Sequence, residues 1–95
     1  MARKIDLIVS AAFAAGRPVS VSNTVVKVSG SLVRCYLHGN LIAEKNTASG
    51  AVRFQSCGWD TVTTKARLNA CGLDCVIRSG RLVTFPDLRP VPSRF

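Results

Sequence analysis

The spacing of apolar residues changes twice along this chain, and the changes limit what it can fold into. Ile5, Ile8, Val9, Ala12 and Phe13 recur at helical intervals. They place one apolar stripe on a helix over residues 2–15, which Gly16 and Pro18 bring to an end. From Ser22 the period falls to two. Val26 and Val28 alternate with Lys27 and Ser29, Gly30 marks a turn, and residues 32–37 are rich in strand formers. His38, Gly39 and Asn40 make a compact turn into residues 41–44, and residues 51–57 alternate again as far as Gly58. Helical spacing returns over residues 61–72, with a hydroxyl or carboxylate to cap the first turn and Gly72 to close the last. Thr64, Leu68 and Cys71 face inward there. Residues 75–78 and 81–85 flank Ser79 and Gly80 as a closing hairpin.

This order predicts an α+β domain: an N-terminal helix, an antiparallel sheet of about five strands, a second helix and a terminal β-hairpin. Both helices cover one sheet face and the other stays open. A chain of 95 residues holds one domain, placed at residues 1–86. Pro86, Pro90 and Pro92 stop regular structure, so residues 87–95 are expected as a basic, extended tail. A hydrophobic content of 47% excludes a disordered chain. A domain this small hides only about 60–65% of its unfolded surface, which disfavours a deep catalytic cleft.

Charge narrows the function. Lys and Arg number 13 against 5 Asp and Glu, a formal charge of +8. Nine of the cations are arginine (Arg3, Arg17, Arg34, Arg53, Arg67, Arg78, Arg81, Arg89 and Arg94). The planar guanidinium suits phosphate or carboxylate better than the point charge of lysine. An anionic partner is therefore expected, nucleic acid first and an acidic protein surface second. A surplus serving solubility alone is the alternative. The five acidic residues (Asp6, Glu44, Asp60, Asp74 and Asp87) are scattered without pairing, no catalytic motif occurs, and His38 sits in a turn with no partner nearby in sequence. Neither an enzyme nor a cofactor is expected.

Cys35, Cys57, Cys71 and Cys75 with His38 raise the question of zinc, but no C-x-x-C knuckle is present, and no metal site is expected. Buried, reduced thiols in a cytoplasmic protein are the expectation, with two disulfides as the alternative. Arg3 and Lys4 ahead of an apolar run outline a short secretory signal, which Asp6 interrupts. The run reads instead as the first helix, too short for the ~20 residues of a bilayer span.

One segment carries more than composition. Gly58-Trp59-Asp60-Thr61-Val62-Thr63-Thr64-Lys65-Ala66-Arg67-Leu68-Asn69 resembles a signature of small, mostly uncharacterised bacteriophage proteins, G-W-x-T-x-T-T-[KR]-x-R-[LM]-N. Residues 36–43 and the Arg78-Ser79-Gly80-Arg81 turn resemble the same family, so the likeness covers roughly residues 23–85 and leaves out the first helix and the tail. It implies a phage origin and no particular activity. Separately, the order helix, three strands, helix resembles that of double-stranded-RNA-binding domains, whose basic cluster is reduced here to Lys65 and Arg67.

The signature offers a helix N-terminus with hydroxyls from Thr61, Thr63 and Thr64 and the cations Lys65 and Arg67, the parts of a phosphate grip. Trp59 stands ready to stack on a base. The structural alternative makes Thr61 a plain cap, packs Trp59 into the core and turns Arg67 and Asn69 to neighbouring backbone. The expected nucleic-acid contacts are Arg34, Arg53, Trp59, Thr63, Thr64, Lys65, Arg67, Arg78 and Arg81, acting on phosphates of a duplex in preference to a single strand. The competing expectation is a host-takeover or anti-defence inhibitor that docks on a host protein complex, its tail gaining order on contact. A minor virion component is a third.

Overall fold

The computed structural model describes residues 4–94; Met1, Ala2, Arg3 and Phe95 lie outside it, and with them the expected start of the first helix and the last aromatic. Helix α1 (Lys4–Ala15) buries Val9, Ala12 and Phe13. It closes on Gly16, at φ 70°. The Gly16 and Arg17 N–H groups donate back to the carbonyls of Phe13 and Ala12 at 3.4 and 2.9 Å. Glycine reaches that left-handed φ without steric cost, so the chain can turn back and donate to the last carbonyls of the helix.

Five strands follow as an antiparallel meander: β1 (Val19–Val21), β2 (Thr24–Ser29), β3 (Leu32–Leu37), β4 (Asn40–Asn46) and β5 (Val52–Phe54). Five strands, not three, therefore separate the helices, unlike the order that resembled a double-stranded-RNA-binding domain. The β3–β4 register shifts between Cys35 and Tyr36, and both Ile42 and Ala43 are buried there. Helix α2 (Val62–Ala70) starts at Thr61, whose Oγ1 accepts the Thr64 N–H at 3.1 Å. β6 (Cys75–Arg78) and β7 (Arg81–Thr84) then form a separate two-stranded hairpin. Mixed helix and antiparallel sheet in this order is the expected α+β class.

The core lies between one sheet face and the helices. Val26, Val33, Cys35, Leu37 and Ile42 meet Val9 and Phe13 of α1, Leu68 and Cys71 of α2, and Leu82 of the hairpin. Alternation along β3 puts Val33, Cys35 and Leu37 inward and Arg34 and Tyr36 outward.

The segment expected as an open tail folds back. The Thr84 N–H donates to the Arg89 carbonyl and the Val91 N–H to that of Leu82, while Ser56 and Cys57 donate to Pro92 and Ser93 at 2.8 and 3.1 Å. Val91, flanked by two prolines that lack N–H groups, is 7% exposed and joins the core. Residues 89–93 thus strap the hairpin to the chain leaving β5.

Candidate functional site

The signature around α2 divides into parts that hold the fold and parts that face solvent. Arg67 is 2% exposed. Its Nη1 pairs with Asp6 Oδ1 of α1 at 2.5 Å and its Nε donates to Thr24 Oγ1 of β2 at 2.8 Å. A buried guanidinium held by both α1 and β2 cannot also grip a phosphate, so Arg67 leaves the expected contact set. Thr64 leaves it too: at 1% exposure its hydroxyl meets that of Thr61 inside the cap. Asn69 mimics a strand partner, accepting the Cys75 N–H at 2.9 Å and donating to the Cys75 carbonyl. Lys65 lines a groove between the helices with Asp6, Leu7 and Ser10. Trp59 does not pack under the helix; it is 59% exposed. With Thr63, it lines a cleft that reaches the β3–β4 turn.

The remaining expected cations fall into two places. Arg78 and Arg81 oppose each other beside the β6–β7 turn, both exposed. Arg34 and Arg53 share the sheet face turned away from the helices. The register there sets Lys27 opposite Arg34, Arg34 opposite Glu44, and Glu44 opposite Arg53, so four charged residues form a row across four strands. Glu44 binds both arginines: Arg34 Nε donates to Oε2 at 2.8 Å and Arg53 Nη2 to Oε1. Those hydrogen bonds, Arg34's first, hold the Glu44 carboxyl below its usual range. Beside the row, Lys27 Nζ lies over the Tyr36 ring at 5.3 Å. The face is accessible: Lys27 and Arg53 are exposed, Arg34 and Tyr36 half-buried.

Lys27 and Tyr36 were missing from the sequence-based set, although the signal was present. A two-residue turn at Gly30 and Ser31 fixes the β2–β3 register, which brings Lys27 opposite Arg34. His38 takes the first position of the β3–β4 turn, at φ 50° before Gly39 at 79°. The four thiols are free. The adjacent Cys35 thiol and burial together push the Cys71 thiol up, and burial pushes Cys75 up to about 11. Among the described residues no three His, Cys, Asp or Glu side chains gather to hold a metal.

The family described as Kyanoviridae Gp96 protein matches residues 2–85. The chain belongs to that family. It is therefore a bacteriophage protein, and the Gp96 match extends the sequence likeness from residue 23 back through α1. The structure makes sense of that reach: the arginine of the signature is neutralised by Asp6, so α1 and α2 are parts of one unit. The match stops at residue 85, ahead of the strap at residues 89–93. No curated protein and no solved structure matches the chain. No helix among the described residues is long and apolar enough to cross a membrane.

Proposed function

We propose that this Gp96 family member is a phage accessory protein that binds nucleic acid through the open face of its sheet. The observation that carries the reading is the cross-strand row of Lys27, Arg34, Glu44 and Arg53 beside Tyr36. Three cations on a regular surface match successive phosphates, and strands about 4.8 Å apart keep them within reach of one backbone. One tyrosine does not make a stacking platform for successive bases. Phosphate contact dominates, and a duplex is favoured over a single strand.

Fluorescence anisotropy with a labelled duplex and its separated strand tests this. Binding is expected to weaken steeply between about 50 and 200 mM salt. Replacing Arg34 and Arg53 together by alanine is expected to lower the slope of log K against log salt by roughly 1.8, two phosphate contacts at about 0.9 each. No anisotropy change with any nucleic acid at low salt removes the reading.

A second reading, docking on a host protein, draws on a different observation: Trp59 and Val62 are each 59% exposed, and Phe85 is 55% exposed. Apolar surface left in water is common at protein-docking sites. A stoichiometric host partner recovered from nuclease-treated lysate, and lost on Trp59→Ala, favours this reading over the first.

A further inference from the structure

Between the β3–β4 turn and the head of α2 lies a cleft of about 470 Å³, within the roughly 300–1,000 Å³ usual for small-ligand sites. Its floor is apolar, formed by Leu37 and Ile42, which are 5% and 1% exposed. Trp59 supplies an indole wall that remains 59% exposed. The rim is polar, with His38, Asn40 and Thr63. Among the described residues no Lys or Arg lines the cleft, and Asp60 follows Trp59 directly.

These features select the chemistry of an occupant. An anion is disfavoured, because the cations of the signature lie elsewhere: Lys65 in the interhelical groove and Arg67 on Asp6. A purely aliphatic group would leave the polar rim facing it. Neither the Asn40 amide nor the Thr63 hydroxyl is hydrogen-bonded to another described side chain, and together they offer both donors and acceptors. A flat ring with a polar edge satisfies the indole, the apolar floor and the rim at once.

We propose that the cleft takes one uncharged heteroaromatic ring, an unpaired nucleobase, stacked on Trp59 with its edge hydrogen-bonded by Asn40 and Thr63. Choosing a nucleobase among such rings rests on the nucleic-acid reading above; the cleft itself is separate from the sheet face. A base presented at an end, a gap or a flipped position enters it while the flanking sugar and phosphate stay outside, away from Asp60.

The chain has a single tryptophan, Trp59, so its emission reports the cleft directly. The intact protein is titrated with adenosine, guanosine, cytidine and uridine, and with N-acetylphenylalaninamide as an aromatic side chain without a base edge. Saturable quenching is expected with at least one nucleoside, at an affinity roughly tenfold or more above that for the amide. Thr63→Val and Asn40→Ala are expected to weaken nucleoside binding with the amide unaffected, and circular dichroism checks that both variants are folded. No saturable quenching by any nucleoside, or an equal response to the amide, overturns the proposal. Salt-dependent duplex binding that persists while nucleosides fail removes the cleft assignment alone. Saturable nucleoside quenching in a protein that binds no duplex removes the sheet face alone.

Discussion

Arg67 and Asp6 form an ion pair across 61 positions of sequence, with the guanidinium side chain 3% exposed and the carboxylate 14%. The pair ties α2 to α1, and Thr24 of β2 adds a third attachment. Removing one partner of a buried pair leaves an uncompensated charge in a dry site, at a cost of about 3–5 kcal/mol. Arg67→Met is therefore expected to lower the urea midpoint sharply, and Asp6→Leu to do likewise. The double variant is expected to recover most of the loss, because two apolar groups of similar volume replace both charges together. Urea unfolding followed by circular dichroism reads all three. A double variant as unstable as the sum of the singles contradicts the pairing.

Glu44 stands between Arg34 and Arg53 on the open sheet face, where a phosphate would otherwise be received. Glu44→Gln removes one negative charge from the row and weakens its hold on Arg34 and Arg53, so nucleic acid is expected to bind several-fold more tightly at low salt. The stability effect has the opposite sign. Because the folded carboxyl sits below its ordinary range, its contribution is full above the unfolded value and fades as pH falls through the folded one. Wild type and Glu44→Gln are expected to differ in thermal midpoint at neutral pH and to converge in acid. A gap that widens on acidification contradicts the assignment.

The strap makes a third test. Val91 is 7% exposed within the core, and trimming it to alanine removes roughly two buried methylene equivalents, about 1.5–2 kcal/mol. Ending the chain after Pro86 removes in addition the acceptors used by Ser56 and Cys57. Hydrogen exchange is expected to show both amides losing protection, while those of β3 and β4, paired only within the sheet, keep theirs. Unchanged exchange at residues 56 and 57 contradicts the strap.

What the sequence revealed and concealed follows from the range of each interaction. The helices, β2 to β4 and the closing hairpin were legible because periodicity is local, and the turn at Ser79 and Gly80 named itself. β1 was not, since three residues after Pro18 are too few to show a period. The strap was hidden because two prolines read as open chain, whereas the burial of Val91 depends on a surface that exists only once the hairpin has formed. Arg67 was misplaced for another reason. Its position, three after Thr64 and four before Cys71, already belongs to the inward stripe, but its charge argued for solvent and outweighed the geometry. Asp6 gives the matching clue, three residues before Val9 on the buried face of α1. A charge on each of two apolar stripes is a signal for a buried pair, and reading the helices one at a time misses it.

The thiols provide a last prediction, about access and not about catalysis. Cys35, Cys71 and Cys75 are buried, while Cys57 is half-buried beyond β5. Cys57 Sγ lies 3.1 Å from the Leu41 carbonyl, to which it donates, and burial raises its pKa. A thiol reacts as its thiolate, so accessibility favours Cys57 while its raised pKa slows it. A maleimide added to the native protein is therefore expected to modify Cys57 alone, slowly near neutral pH and faster as pH rises. In denaturant all four thiols of the sequence are expected to react together. Mass spectrometry counts the adducts and peptide mapping locates them. Early labelling of Cys71, which is buried in the core with Cys35, would mean that α2 opens from the sheet under native conditions.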